Sequence, residues 1–328
     1  MTIEEIFHIV ESKYKDIVYV TDDNVYSFYK QYFNGKRCYV IEHGETSKNL
    51  TTVEKIYNWL IDNNITKHSC IVGVGGGIVT DITGYVASTY KRGTKFGFIS
   101  TTLLGMIDAS IGGKNGVNFN DFKNMIGTIN QPDFCFYSEE FLITLPKEEI
   151  HSAFGEILKY AIGFSESLFE TLEKNSINDI LIDKKLLSEV VSKSIYIKRC
   201  IINDDPNEST GTRIKLNLGH TIAHAIEKTT NYRISHGEAV GIGLNFITEF
   251  SKSETYLQKK DYTRIMNLLD KYGFYKYDDV IHSCIDYIGQ DKKSIDGEYI
   301  DLVLVKSIGN CFVERYKKDQ IINYINKN

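Results

Sequence analysis

SCIVGVGGGIVTDITGYVASTYKRGTKFGFIS, residues 69–100, decides the fold. Its opening run, Cys70–Val74, carries no polar side chain, so as a strand it would be covered on both faces. It leads straight into Gly75, Gly76 and Gly77. VTDITGYVASTY then has the period of a helix, with Asp81 expected in its first turn, and KFGFIS (95–100) is extended again. Strand, glycine turn, helix and strand make the unit of a parallel α/β sheet. Glycines at the start of such a helix let backbone amides approach a diphosphate. The spacing is not G-x-G-x-x-G, so this turn by itself names no cofactor.

Working outward, DIVYVTD (16–22) and RCYVIEH (37–43) read as strands, and NVYSFYKQYF and TTVEKIYNWLIDN (51–63) as helices. Asp22 and Asn24, where the first strand ends, are placed to hydrogen-bond a ribose, and are equally good turn residues. Downstream, STTLLGMIDASIGGKNGVNFNDFKNMIGTINQP (100–132) reads as a long loop holding Asp108, Lys114, Lys123 and Asn124 among small residues. Loops of that length without structure of their own tend to be functional, and these side chains suit carboxylates, phosphates and sugar hydroxyls. After Pro146 the pattern turns helical, and only YIDLVLV and NCFVERY near the end look extended. The expectation is an α/β nucleotide-binding domain with a parallel sheet over 1–146 and a mainly α-helical domain over 147–328. The active cleft is expected between them.

Composition excludes several classes. A chain of 328 residues with net charge −5 and no basic stripe does not suit a nucleic-acid surface. The six cysteines stand singly and form no C-x-x-C pair, which argues against both a disulfide framework and a thiolate metal site. They read as buried free thiols. MTIEEIFHIV lacks the core of a signal peptide, and no apolar run approaches membrane-spanning length. A soluble, cytoplasmic protein is expected.

The second informative stretch is RIKLNLGHTIAHAIEKTTNYRISHGEAV (213–240), with three of the eight histidines. His220 and His224 are four apart in a helical run and share a face; His236 opens the next apolar run. Two imidazoles on one helix and a third at the start of the next could bring nitrogen ligands to a zinc-like ion, with a carboxylate supplied from elsewhere. FGEILKYAI (154–162) offers that carboxylate. Glu156 lies three residues from Lys159, on the same face of a helix.

Taken together, GGGIVTDITGYVASTYKRG, DASIGGKNGVN, KNMIGTINQP, GEILKYAI, LNLGHTIAHAIE and HGEAVGIGL occur in order. They resemble the blocks of the 3-dehydroquinate synthase family of sugar-phosphate cyclases, over almost the whole chain from VTDDNV to DKK near residue 292. The resemblance implies bound NAD and a divalent metal, zinc or cobalt. It also implies cyclisation of 3-deoxy-D-arabino-heptulosonate 7-phosphate to 3-dehydroquinate with loss of phosphate, in the shikimate pathway of aromatic amino acid biosynthesis. The cofactor is oxidant and then reductant, so the net reaction is not a redox reaction.

By the family pattern the metal ligands are Glu156, His220 and His236, which makes His224 a substrate contact. Implied cofactor contacts are Asp22, Asn24, Glu45 and Lys48 from the first two strand ends, Gly76, Gly77 and Asp81 from the glycine turn, then Thr101, Thr102, Lys114 and Lys123. Implied substrate contacts are Asp108, Lys114 and Asn124 in the first half. Lys159, Lys198 (over its neighbour Arg199), Arg213, Asn217 and His224 follow in the second, with Lys292 or Lys293 from the DKK block. Arg92 matches an arginine that reaches the neighbouring subunit's substrate phosphate, which implies a homodimer. Three places depart from the pattern: Glu148 stands where Arg is usual, Ala153 and Gly155 are exchanged, and the interval between Lys198 and Arg213 is one residue longer. Related cyclases and polyol dehydrogenases of the same fold are the competing readings.

Overall fold

The β-branched run Ile17–Thr21 and the apolar run from Cys70 form adjacent parallel strands because neither carries a charge that must reach water. In the computed structural model, which describes residues 1–120, 122–206, 208, 210–275, 278–288 and 298–327, the chain divides into two compact units, Met1–Ile150 and His151–Asn328. The division falls in the first turn of a helix that begins at Lys147.

The first unit runs α1 (Ile3–Lys13), β1 (Ile17–Asp22), α2 (Asp23–Tyr29), β2 (Cys38–Ile41), α3 (Leu50–Asp62), β3 (Cys70–Gly75), α4 (Gly77–Thr89), β4 (Lys95–Ser100), β5 (Lys114–Phe119), β6 (Phe122–Ile129) and β7 (Cys135–Tyr137). Five strands form one sheet in the order β2-β1-β3-β4-β7, every pairing parallel. The order reverses between β1 and β3. A crevice therefore opens beyond the carboxyl ends of those two strands, the default ligand position in such sheets. The core joins Val18, Val20, Ile71, Phe96 and Phe98 of the sheet to Ile56 and Leu60 of α3 and to Val79, Ile82 and Val86 of α4.

The stretch 100–132 is not the unstructured loop expected. Gly105–Ala109 forms a π-helical turn with Met106 and Ile107 buried, and β5 and β6 form an antiparallel hairpin. Asn115 of that hairpin lies so near α4 that a Cβ on Gly84 would come within 1.9 Å of its Oδ1. Gly and Asn interrupt the apolar alternation there and hid the strand period. Asp81 also sits one turn later than expected, because α4 starts at Gly77.

The second unit contains α5 (Lys147–Phe164), α6 (Glu166–Lys174), α7 (Ile177–Ile182), α8 (Lys184–Asp204), α9 (His220–Thr229), α10 (His236–Ser253), α11 (Lys259–Lys271), α12 (Asp278–Ser283), the hairpin β8 (Tyr299–Ser307) and β9 (Asn310–Lys317), and α13 (Lys318–Lys327). α10 is its central element. Apolar residues on all its sides are buried, as expected of a helix enclosed by neighbours, and it packs against α9, α11 and β8. All six cysteines are free; Cys70, Cys284 and Cys311 are buried, whereas Cys38, Cys135 and Cys200 are only half-buried. Among the described residues no helix is long and apolar enough to cross a membrane.

Candidate functional site

Within the second unit the chemistry converges where α5, α9 and α10 meet. Close contact needs small residues. A Cβ on Gly155 would lie 1.9 Å from the Gly237 carbonyl oxygen, and one on Gly243 would lie 2.1 Å from that of Gly219. These contacts bring the residues next to the glycines, Glu156 and His236 on one pair and His220 on the other, into one cluster. Glu156 is fully buried; its Oε1 stands 3.2 Å from His220 Nε2 and 3.2 Å from His236 Nε2. Its Oε2 is ion-paired with buried Lys159, without a well-angled hydrogen bond.

The other ring nitrogens fix the tautomers. His220 Nδ1 lies 3.1 Å from the Leu218 carbonyl oxygen, which can only accept, so Nδ1 carries the proton. His236 Nδ1 lies 3.3 Å from Glu227 Oε2, again an acceptor when ionised. With both rings neutral, as metal ligands must be, they turn bare Nε2 lone pairs toward a carboxylate oxygen. In that state three acceptors within 4.8 Å of one another repel unless a proton or a metal cation lies among them.

The electrostatics show the same demand for positive charge and divide the two rings. Burial favours the protonated form of Glu156, but Lys159 first and then His220 outweigh it and hold the carboxyl well below its ordinary range. Burial, with a smaller contribution from Lys159, takes His220 down to about 4 and so leaves it neutral at pH 7. His236 is pushed the other way: burial opposes charge, but its hydrogen bonds to Glu156 and Glu227 raise it to about 10, so positive charge is favoured between these carboxylates. A carboxylate oxygen and two imidazole nitrogens are the donor set of a catalytic zinc-like site. The residues present fit such an ion.

His224 lies one turn along α9, its ring centroid 5.5 Å from that of His220 and 6.4 Å from that of His236, beside the triad. Lys198 on α8 is buried, whereas Arg199 is exposed, so only the former faces the interior. Arg213 is buried in a 3₁₀ turn (Thr212–Asn217) that packs against α8. Its Nη1 donates to the Pro206 carbonyl (3.3 Å), and Nε is 3.4 Å from Glu208 Oε1. Asn217, half-buried, ends the turn. Lys292 and Lys293 lie outside the described residues.

In the first unit, Asp22, Gly76, Gly77, Thr101 and Thr102 all lie at the carboxyl edge of the sheet. Gly76, the N-cap of α4, has no side chain to occupy the first amides of this 13-residue helix. Asp22 Oδ1 accepts from the Val25 N–H at 2.8 Å and starts α2, on which Asn24 is exposed. Behind the glycine turn, buried Lys48 Nζ reaches Asp81 Oδ2 at 2.5 Å and Asn124 Oδ1 at 2.6 Å. Asn118 Nδ2 donates to Glu45 Oε1 at 2.8 Å, and its own Oδ1 accepts from the Asn124 N–H. Asp108 is half-buried in the π-helical turn, Lys123 half-buried on β6 and Lys114 exposed at the start of β5. Arg92 is apart from these. It precedes β4, at the amino end of the parallel sheet, exposed and with φ 64°.

Two residues escaped the reading of the sequence. Asn118 ties Glu45 to Asn124, and nothing marked it while the hairpin was taken as loop. Glu227 holds His236. Its spacing was available, since it lies seven residues after His220 on the same face of α9.

A parallel α/β unit with an open glycine turn at its switch point, followed by a helical unit with a buried carboxylate facing two imidazoles, defines a class of two-part enzyme folds. Its solved members include 2-epi-5-epi-valiolone synthase from Streptomyces hygroscopicus subsp. jinggangensis, described with NAD+ and Zn2+ bound. The TM-score is 0.85, with 23% identity over 97% of this chain and 93% of that one. A 2-deoxy-scyllo-inosose synthase complexed with carbaglucose-6-phosphate, NAD+ and Co2+ also scores 0.85, at 23% identity over 98% and 94%. An iron-containing alcohol dehydrogenase shares the fold more distantly, with TM-score 0.65.

Sequence narrows the class. Residues 38–152 match the 3-dehydroquinate synthase N-terminal family model, and residues 153–294 the C-terminal one. The 3-dehydroquinate synthase of Clostridium tetani is 36% identical over 93% of this chain and 84% of its own length; that of Helicobacter pylori (strain HPAG1) is 38% identical over 89% and 84%. The chain belongs to the 3-dehydroquinate synthase family.

Proposed function

We propose that this enzyme converts 3-deoxy-D-arabino-heptulosonate 7-phosphate to 3-dehydroquinate and phosphate, using NAD and a divalent metal such as zinc or cobalt. The observation that carries the reading is the Glu156–His220–His236 triad in a chain of this family. When bound, NAD takes up and returns a hydride, and the metal polarises the substrate's hydroxyls.

The chain's own residues bind and orient. The open amides of α4 at Gly76 and Gly77 receive the dinucleotide diphosphate, as helix N-termini do. Asp22, Asn24, Glu45, Asp81, Thr101, Thr102, Lys114 and Lys123 supply further cofactor contacts, and Lys48 holds Asp81 in place. Lys159, Lys198 and Arg213 present fixed positive charge to a small anion, while Asp108, Lys114, Asn124, Asn217 and His224 position its hydroxyls and carboxylate, with Lys292 as a further contact. Such preorganised charge stabilises developing negative charge without reorganisation at the moment of reaction. Three further elements of the reading rest on the sequence. They are division into a 1–146 cofactor domain and a 147–328 metal and substrate domain, assembly as a homodimer in which Arg92 serves the partner's substrate phosphate, and residence in the cytoplasm.

The test is phosphate release from the heptulosonate phosphate with NAD and zinc, while following the absorbance of reduced nicotinamide. The expected result is many phosphates per cofactor with no net reduction. Stoichiometric reduced cofactor without phosphate would instead establish a dehydrogenase.

A further inference from the structure

Glu227 is an acid with only 5% of its surface exposed, on the last turns of α9, and no step of the proposed chemistry uses it. Burying a carboxylate is strongly unfavourable unless its charge is satisfied, so its position needs a reason. The geometry supplies one. His236 is the first residue of α10, where the chain has just emerged from the turn after α9, and its ring is held between two carboxylates. Glu156 Oε1 stands 3.2 Å from Nε2 on one side, and Glu227 Oε2 stands 3.3 Å from Nδ1 on the other. His220 has the corresponding support from a backbone carbonyl, that of Leu218. For His236 that role is filled by a side chain from another helix, Glu227 of α9.

We infer that Glu227 is a positioning residue for the metal site: it accepts the Nδ1–H of His236, sets that ring's tautomer and rotation, and so presents Nε2 as a ligand. The inference rests on the proposed triad. A carboxylate behind a ligating imidazole also makes the imidazole a better donor, and loss of such partners costs about 10- to 100-fold in metal affinity. No bond is made or broken by Glu227; its effect is on the population of the ligating orientation.

The experiment strips the full-length protein of metal and titrates it with Co2+, reading the visible absorption band and competing against a chromophoric chelator. Four proteins are compared: wild type, H236A, E227M and E227Q. E227M keeps the side-chain volume and removes both oxygens; a dissociation constant raised by about 10- to 100-fold is expected. E227Q keeps an acceptor oxygen without the charge, so a smaller rise and a band nearer the wild-type one are expected, because charge-assisted hydrogen bonds are roughly twice as strong as neutral ones. H236A should lose the ion.

If H236A binds Co2+ as wild type does, the triad falls and the role of Glu227 with it. If H236A loses the ion while E227M and E227Q, both folded by circular dichroism, bind within twofold of wild type, the triad stands and the positioning role is overturned. Should E227M fail to fold, E227Q decides: wild-type affinity and spectrum overturn the inference, and a measurable loss supports it.

Discussion

Replacing Gly155 by alanine is the sharpest test of how the site is built. The added Cβ would lie 1.9 Å from the Gly237 carbonyl oxygen and 2.7 Å from its carbon. The obstacle is backbone in the first turn of α10, so no side chain can rotate away. Restoring an ordinary contact of about 3.4 Å requires α5 and α10 to part by about 1.5 Å at this point. Overpacking of this kind costs about 1–3 kcal/mol, whereas exchanging glycine for alanine inside a helix returns roughly 0.5–1 kcal/mol. Because the obstacle is backbone, the cost lies at about 2–3 kcal/mol, the upper part of that range, and it exceeds the gain by about 1–2 kcal/mol.

For a unit of this size that lowers the unfolding temperature by roughly 2–8 °C. The same displacement separates Glu156 from His236, whose present 3.2 Å approach depends on the helix contact. A misplacement of about 1 Å at a reacting centre can cost 100-fold in rate. The assay is calorimetric unfolding with and without zinc, together with turnover by phosphate release. G155A should unfold earlier, gain less from zinc and turn over about 100-fold more slowly. A variant that unfolds at or above the wild-type temperature with unchanged turnover would refute the reasoning, since the glycine would then be tolerated and not required.

Three further outcomes are expected. H220A should lose bound zinc, measured by elemental analysis, and phosphate release together; a fully active, metal-free variant would remove His220 from the ligand set. On the proposed homodimer, R92A should raise KM for the heptulosonate phosphate about tenfold or more, as expected for one lost hydrogen bond to a charged group, and leave the sedimentation coefficient at the wild-type value; unchanged kinetics would end the idea of a residue shared across subunits. Asp16, hydrogen-bonded by Ser69 and then by Arg37, has its carboxyl held below the ordinary 3.8. A depressed folded-state value contributes stability that is complete above pH 3.8 and is lost as pH falls through the folded value. D16N should therefore unfold earlier than wild type at pH 7 and approach it below pH 3.8 in thermal melts; a gap that stays constant with pH would show the charge to be irrelevant.

Which parts of the molecule were legible follows from the range of the interactions that make them. Cys70–Val74 could be read as a central strand because burial on both faces leaves its mark on every residue, and α4 because its apolar period is local. The hairpin of β5 and β6 could not, since Gly and Asn interrupt its apolar alternation and its packing is long-range, with Asn115 lying against Gly84 of α4, thirty-one positions away. The same distinction runs through the site. His220 and His224 announce a helix face by their spacing, but nothing local separates a ligand from its neighbour.

The separation is made by contacts distant in sequence. Glu156 approaches His220 and His236 within 3.2 Å because Gly155 and Gly237, and Gly219 and Gly243, allow three helices to close on one point. Gly155 illustrates the limit well. In the sequence it is a local exchange with Ala153 of no evident consequence, yet in the fold it is where a methyl group would force two helices apart. Glu227 is the complementary case, an acid with unremarkable helical spacing whose meaning comes from the imidazole it faces across the turn. A sequence thus displays the donors of such a site, while the residues that aim them are identified by what lies within about 3 Å of them in the folded chain.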